Sequence, residues 1–426
     1  LATNIGHFEI CKLIIVSVDD KNPAMHNGVT PLHFASQNGY FEICALIVFN
    51  VNDKNPAMHD GVTPLHWAAQ KGYFEICELI VVNVIDKNPA RDDGVTPLHW
   101  AAEKGYFEIC KLIIANVDEK NPARNDGVTP LNLAAENGHH DICKLIISNV
   151  DDKNPARYDG VTPLHFASQK GYYEICKLII SNVDDKNPAR YDGLTPLHLA
   201  TNIGHFEICK LIIVNVDDKN PAKHNGVTPL HLASEKGYYE ICELIIANVN
   251  DKNPAARPNG VYPLDPTPLH LAAGKGYFEI CKLIVANVSD KNPTRLDGVT
   301  PLHLAAEKGY FEICKLIIVN VNNKNPADAD GVTPLHMASQ NGHYEICKFI
   351  ITCVNDKNPA KPNGVTPLFM AAKNGHFEIF KLLFEILDKG NKNPKADKGY
   401  TPLHLAATNG HLNICKIIQQ QVDDKN

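Results

Sequence analysis

The sequence predicts an all-α solenoid, because one short pattern repeats along almost its entire length. The step between copies is 33 residues, except for 39 residues from Thr228 to Thr267 and 35 residues from Thr366 to Thr401. A period of this length is typical of helical repeats, which bury their apolar faces by stacking on their neighbours. The repeated tripeptide Thr-Pro-Leu begins at Thr30, Thr63, Thr96, Thr129, Thr162, Thr195, Thr228, Thr267, Thr300, Thr333, Thr366 and Thr401.

The domain organisation follows from this period. We expect a single domain over 1–426, with a partial unit at 1–24, eleven repeats at 25–395 and a terminal repeat at 396–426. Six extra residues fall near 256–266. They are either a specific contact loop or a tolerated surface insertion.

The composition is that of a soluble folded protein, with 44% hydrophobic and 21% charged residues. A net charge of −7 provides no overall basic field for nucleic acid or acidic lipid. We expect no membrane-spanning segment, because no run of about 18 apolar residues occurs, and we expect no signal peptide. Leu1 to Asn22 copies Leu199 to Asn220 except at Ser17, so we expect the chain to be part of a longer array.

The repeat from Arg91 to Ala123 shows which helices each repeat is expected to form. Thr96 suits a helix N-cap, and Pro97 fits the first helical position, where its missing N–H costs nothing. Gly105 is expected to end this short first helix in a left-handed conformation. A second helix should then bury an apolar stripe. The stripe consists of Ile109, Cys110, Leu112, Ile113 and Ile114.

This order of short helix, Gly turn, longer helix and extended loop, with Thr-Pro-Leu-His at the start, resembles the ankyrin repeat. The resemblance covers essentially the whole chain. It implies an α-solenoid of about twelve units with β-hairpin or loop fingers. It also implies a protein–protein interaction scaffold, not an enzyme, that binds its partner on the concave surface of the fingers and first helices. The alternative is a tethering or mechanical array within a larger membrane channel or multidomain enzyme.

The sequence departs from the family pattern at several positions. Asn132 and Phe369 replace the histidine of Thr-Pro-Leu-His, and Phe380 replaces a recurrent cysteine. Where ankyrin repeats usually have Gly-Ala-Asp-Val-Asn after the second helix, this chain has Asn-Val-Asp-Asp-Lys-Asn-Pro, as at Asn149 to Pro155. We therefore expect a differently shaped connection between the second helix and the next finger.

Thirteen cysteines raise the question of disulfides or metal. Twelve of them, from Cys11 to Cys415, occupy one position of the second helix, and Cys353 lies outside this series. Stacked helices lie about 8–10 Å apart, too far for disulfides, and no short zinc-type spacing occurs. We expect these cysteines to pack in the core, with no metal, in a reducing, cytoplasmic compartment.

Ten motif histidines, among them His66, His99 and His303, follow Leu at the third position of the first helix. We expect each ring to bond the capping Thr and a neighbouring backbone group. A catalytic or metal-binding row is the alternative, but residues spaced 33 apart do not converge. No phosphate-binding or nucleophile motif occurs, so we expect no enzyme and no cofactor. Trp67 and Trp100 are expected in the core, because other repeats have Leu, Phe or Met there.

Partner contacts are expected where the repeats differ most, which is two residues before the glycine of each finger, such as Gly94. The resemblance implies that this position lies near the finger tip. Tyr158 and Tyr191 are the best candidates for interface anchors, since Tyr offers a large contact area with little rotamer entropy. The candidate tip residues are His26, His59, Asp92, Asn125, Tyr158, Tyr191, His224 and Leu296.

A row of basic residues precedes these tips and is the second candidate surface. It would bind an acidic peptide or an acidic face of a protein partner. The alternative is local pairing with the finger Asp two residues on, such as Asp93 or Asp126. We expect a monomer that does not bind nucleic acid or insert into membranes. The basic candidates are Arg91, Arg124, Arg157, Arg190, Lys223 and Arg295.

Overall fold

The structure is a computed structural model that describes residues 2–255, 266–387 and 392–423, without the side chains of 398 and 421–423. Its contacts divide it into two compact units, Leu1–Asp217 and Asp218–Asn426. The described residues form twenty-six α-helices and a 3₁₀ turn at Asp397–Gly399, with no β-strand. The all-α prediction is confirmed, whereas one continuous stack over 1–426 stays a prediction.

Each repeat consists of a first helix, called helix A, and a second helix, called helix B. In the N-terminal unit the helices are α1 Ala2–Ile5, α2 Phe8–Ser17, α3 Pro31–Asn38, α4 Phe41–Val48, α5 Pro64–Lys71, α6 Phe74–Asn83, α7 Pro97–Lys104, α8 Phe107–Ile114, α9 Pro130–Asn137, α10 His140–Ile147, α11 Pro163–Lys170, α12 Tyr173–Ile180, α13 Pro196–Ile203 and α14 Phe206–Ile213. In the C-terminal unit they are α15 Pro229–Lys236, α16 Tyr239–Asn248, α17 Pro268–Lys275, α18 Phe278–Asn287, α19 Pro301–Lys308, α20 Phe311–Asn320, α21 Pro334–Asn341, α22 Tyr344–Cys353, α23 Pro367–Asn374, α24 Phe377–Ile386, α25 Pro402–Thr408 and α26 Leu412–Asp423.

The ends of helix A follow the local rules that its sequence predicts. Thr96 is the N-cap, with extended backbone, and Pro97 is the first helical residue of α7. Gly105 ends the helix in the left-handed region, with φ 83°. The ring of His139 in the next repeat lies over Gly105, so that a Cβ there would come within 2.6 Å of the ring. Glycine is therefore required both by the backbone conformation and by this close approach.

The core forms between consecutive repeats. Within the N-terminal unit, α7 packs on α5 and α9, and α8 packs on α6 and α10. Each helix thus covers the equivalent helix of its neighbours, as expected for a solenoid. Of the predicted stripe, Leu112 is half-buried, while the others are buried together with helix-A residues. The buried residues of this repeat include Leu98, Ala101, Ala102, Ile109, Cys110, Ile113 and Ile114.

The cysteine series lies inside this core, as predicted. Eleven of the thirteen free cysteines are buried, from Cys11 to Cys347, whereas Cys353 and Cys415 are half-buried. Burial raises the pKa of the Cys110 thiol to about 12, so the thiol stays protonated at neutral pH. A protonated, inaccessible thiol is a packing group and not a nucleophile.

The fingers between repeats are hydrogen-bonded turns. The N–H of Arg91 donates to the carbonyl of Val95 at 2.9 Å, and the N–H of Gly94 donates to the carbonyl of Arg91 at 2.9 Å. Neighbouring fingers are also linked, because the N–H of Asn125 donates to the carbonyl of Asp93 at 3.0 Å. Of the two finger types expected, the loop is therefore the one found among the described residues.

The unusual connection before each finger caps the next helix A. The Oδ1 atom of Asn88 accepts the N–H of Leu98 at 2.9 Å, and the Asn88 N–H donates to Oδ1 of Asp86 at 3.1 Å. Equivalent Asn–Leu bonds form in all twelve Thr-Pro-Leu repeats. They satisfy one of the unpaired N–H groups at the start of helix A. The Asn-Pro connection is thus a second cap, additional to the Thr.

Most of the insertion near 256–266 lies outside the described residues, which resume at Pro266. On either side of the insertion, the hydrogen bonds found in the other repeats are retained. The N–H of Leu269 still donates to Oδ1 of Asn253 at 2.9 Å, although 16 residues separate them instead of 10. His231 Nε2 lies 3.1 Å from the carbonyl of Pro266, which takes the place of the usual Val.

Candidate protein-binding surface

The finger tips and the outward side of helix A form one candidate surface, called here the finger/helix-A surface. Tyr158 is 69% exposed and Tyr191 is 73% exposed, as expected for finger tips. Leu296 is similarly exposed, at 69%. The remaining candidate tip residues are also exposed: His26, His59, Asp92, Asn125 and His224.

The basic row is half-buried, and its five arginines are locally paired, whereas Lys223 has Asn225 in place of the Asp. Arg91 lies 3.3 Å from the Asp93 carboxylate, and Arg157 lies 3.6 Å from Asp159. Arg124, Arg190 and Arg295 pair in the same way with the Asp two residues on. The Arg124 hydrogen bond lowers the pKa of Asp126 to about 2. Local pairing, the alternative drawn from the sequence, is therefore present.

A cavity of about 260 Å³ lies between the fingers of two adjacent repeats in the N-terminal unit. Its walls include the side chains of Arg157 and Arg190, and its floor includes Phe166 and Leu199. The Nε atoms of both arginines are buried without a hydrogen-bond partner. Each Nε faces the carboxylate of the Asp two residues on, at 3.6 Å, so it is held by an ion pair without a hydrogen bond.

The motif histidines join one repeat to the next. The N–H of Thr96 donates to Nδ1 of His99 at 3.1 Å, so Nδ1 is an acceptor and the ring proton lies on Nε2. Nε2 then donates to the carbonyl of Val128 at 3.1 Å. Burial lowers the pKa of His99 to about 4, which keeps the ring neutral. The predicted bonds to the capping Thr and a neighbouring backbone group are confirmed at eight described histidines: His33, His66, His99, His165, His231, His270, His303 and His336. The ring of His404, in the last repeat, is exposed and contacts its capping Thr401.

Asn132 takes the place of the histidine in its own repeat, and its Nδ2 donates a long bond, 3.5 Å, to the carbonyl of Pro155. Its Oδ1 accepts the N–H of Thr129 at 2.9 Å, as Nδ1 of a histidine does. Phe369 has no acceptor at this position, and Oγ1 of Thr366 is buried without a partner. The role of the motif histidine is therefore structural, and it depends on one acceptor and one donor.

A family model described as ankyrin repeats (3 copies) matches the chain at residues 1–89, 47–124, 98–188, 164–255, 269–360 and 350–426. The chain belongs to the ankyrin repeat family. No curated protein matches it. Ankyrin repeats are in general protein–protein interaction modules that bind protein partners, and the family is typically non-enzymatic.

The described part of this ankyrin-repeat chain shows no group of three or more His, Cys, Asp or Glu residues placed to hold a metal ion. Over the same residues, no helix has both the length and the apolar character needed to cross a bilayer.

The expectation that Trp67 and Trp100 lie in the ankyrin core is wrong. Both are half-buried on helix A, with ring centroids 6.0 Å apart. The Arg91 guanidinium lies over the Trp100 ring, 5.6 Å from its centroid. This position of helix A faces the fingers, and half-exposed Phe166 and Leu199 occupy it in later repeats. Sequence reasoning missed these residues as surface candidates, although their variability was a usable signal.

Proposed function

We propose that this chain is a protein-interaction scaffold that binds a protein partner on the finger/helix-A surface. The cavity between Arg157 and Arg190 carries the proposal, because it combines an apolar floor, Phe166 and Leu199, with two arginine side chains in its walls. Tyr158 and Tyr191 stand exposed on the same two fingers and supply the anchors. A few buried aromatic and Arg contacts provide most of the binding energy in such interfaces.

The partner is expected to offer an acidic group at this cavity. Each guanidinium already pairs with its own Asp, so the partner carboxylate adds to these pairs and does not replace them. The remaining candidates extend the contact along the fingers: His26, His59, Asp92, Asn125, His224, Leu296, Arg91, Arg124, Lys223 and Arg295. No nucleic acid is expected to compete, because the finger aspartates dilute the positive charge.

The chain offers a matched control for testing the anchors. Tyr173, at the start of α12, is 36% exposed and does not lie on a finger. A photo-reactive phenylalanine analogue placed at Tyr158 or Tyr191 should cross-link a bound partner, whereas the same analogue at Tyr173 should not. Tyr158→Ala and Tyr191→Ala should each weaken affinity about tenfold or more. Equal cross-linking at all three positions would contradict the proposal.

We also infer that the chain works as a monomer in a reducing compartment such as the cytoplasm. Thirteen free cysteines support the reducing compartment, because disulfides are rare in cytosolic proteins and a chain with this many cysteines and no disulfide matches that usage. The tethering array stays an alternative prediction. Light scattering under reducing conditions should give the mass of one chain, and a larger mass would exclude the monomer.

A further inference from the structure

A second cavity, of about 290 Å³, lies in the C-terminal unit between the last two repeats. Met370 of α23 and Leu405 of α25 form apolar walls, and Phe369 of α23, which is 1% exposed, lies beneath them. Tyr400, on the last finger, closes one side and is 53% exposed. Lys361 and Lys373 also line the cavity.

Two departures from the repeat pattern give this cavity its apolar character. Phe369 stands where ten other repeats have His and one has Asn132, so it is the only apolar residue at that position. Tyr400 stands where the preceding repeats have Val, Leu or Pro, and Val95 and Val128 there are buried. The imidazole that elsewhere binds the next finger is therefore absent, and an aromatic ring faces solvent instead. The Tyr400 ring meets the His404 ring edge-on, with centroids 6.1 Å apart, and supplies the exposed aromatic surface of the cavity.

Two further departures change the charge of the cavity. Lys373 is the only cation at a position where the other repeats have Gln, Glu, Asn, Gly or Thr. In the repeat of Arg91, the arginine pairs with Asp93 two residues on. Asn363 stands at the equivalent place after Lys361, so Lys361 has no such carboxylate. Among the described residues, neither Lys361 nor Lys373 forms an ion pair.

One acid, Asp397, also lines the cavity. Its N–H donates to the carbonyl of Asn363 at 3.0 Å, which holds the last finger against the one before. Lys361 and Lys373 together outnumber this single carboxylate. The cavity is therefore apolar inside and net positive at its edge, which complements an apolar group carrying a negative charge.

We propose that this cavity binds the C-terminal residue of a protein partner, an apolar residue with its free carboxylate. Its volume is at the lower end of the range for small-molecule sites, about 300–1,000 Å³, and so suits one large residue. A C-terminal Leu or Phe brings both an apolar side chain and a carboxylate within that size. The side chain packs against Tyr400, Met370 and Leu405, with buried Phe369 beneath them, and the carboxylate lies beside Lys361 and Lys373.

Two peptides test the proposal on the full chain by calorimetry. One is acetyl-Gly-Ser-Gly-Leu-Phe with a free carboxylate, and the other is the same peptide ending in an amide. The free acid should bind, and the amide should bind about tenfold more weakly, because it lacks the charge that the lysines recognise. Equal affinities, or no binding of either peptide at about millimolar concentration, would overturn the proposal.

Variants that restore the common pattern sharpen this test. Phe369→His recreates the bond between helix A and the next finger, so it should abolish peptide binding while leaving the melting temperature unchanged or higher. Lys373→Glu should weaken binding about tenfold. Lys275→Glu, at an exposed position at the end of α17, is the matched control and should have no effect. Unchanged peptide binding in Phe369→His at full folding would exclude this cavity. Tyr158 and Tyr191 are not involved, so either result leaves the first proposal standing.

Discussion

The Nε2 atom of His99 lies 3.1 Å from the carbonyl oxygen of Val128, so the helix-A start of one ankyrin repeat is bonded to the finger of the next. On its other side, the same ring accepts the N–H of Thr96 at 3.1 Å. The capping Thr and the neighbouring finger are therefore held by one neutral imidazole. Because the site is buried, both bonds must be replaced if the ring is removed.

His99→Ala should lower the free energy of unfolding by about 2–3 kcal/mol, because it leaves the Thr96 N–H and the Val128 carbonyl buried without partners. His99→Asn should cost only about 1 kcal/mol, since Asn132 accepts the equivalent Thr129 N–H at 2.9 Å in its own repeat. Urea titrations followed by circular dichroism measure both. Equal losses in the two variants would show that the ring contributes through packing and not through these bonds.

Stability should fall as the pH is lowered from about 6.5 to about 4. Burial lowers the pKa of His99 to about 4 in the folded chain, whereas the pKa of a histidine in the unfolded chain is near 6.5. Unfolding in this window takes up a proton, so the contribution is complete above pH 6.5 and is lost towards pH 4. Each such histidine contributes a slope of about 1.4 kcal/mol per pH unit. Those with a pKa of about 4 are His66, His99, His165, His231, His270 and His336.

Melting temperatures at pH 7.5, 6.0 and 5.0 check this dependence. The paired carboxylates do not mimic it, because the pKa of Asp126 is lowered to about 2 and its contribution is lost only below the ordinary Asp range. His99→Asn serves as a control that removes one titrating ring and should flatten the slope. A melting temperature that stays constant from pH 7.5 to 5.0 would contradict buried, neutral histidines.

Much of the fold could be predicted because it depends on the conformational preferences of single residues. Thr96, Pro97 and Gly105 each act through their own backbone or cap chemistry, and all three occupy the expected places. The bond from Asn88 to Leu98 was not predicted, because it spans ten residues and needs the loop folded by Asp86. Long-range caps of this kind depend on loop geometry that no local pattern specifies.

The candidate surface was predicted less completely than the fold. The exposure of Tyr158 and Tyr191 followed from their place on the fingers. The half-exposed Trp100 did not, because its burial depends on how closely the next finger approaches helix A. The replacement at Phe369 was visible in the sequence, but its meeting with Tyr400 at one cavity required the packing of two repeats.

Substitutions of Asn88 test whether its side-chain oxygen caps helix A by accepting the Leu98 N–H. Asn88→Ala should cost about 1 kcal/mol, as the loss of a helix N-cap typically does, because the Leu98 N–H loses its acceptor. Asn88→Asp keeps an oxygen at Oδ1 and should cost much less. Urea unfolding of both variants measures the difference. If Asp is as destabilising as Ala, the bond to Leu98 is not the reason for asparagine at this position.

Replacing either of two glycines by alanine should change the stability of the chain in opposite directions. Gly72 has φ 83°, and a Cβ there would come within 2.7 Å of the Tyr106 ring. Gly72→Ala should therefore destabilise the chain by more than about 1 kcal/mol, because it combines a disfavoured conformation with a clash. Gly274 lies within α17, and its nearest neighbour would be 3.6 Å from an added Cβ.

Gly274→Ala should accordingly stabilise the C-terminal unit by about 0.5–1 kcal/mol, the usual gain from replacing Gly by Ala inside a helix. Melting curves of the two variants, compared with the parent chain, measure both signs at once. Destabilisation by both substitutions would mean that helix A tolerates no added side chain at either place. Stabilisation by both would show that the Tyr106 ring does not pack closely on Gly72, and that the contact between consecutive repeats is looser than the structure describes.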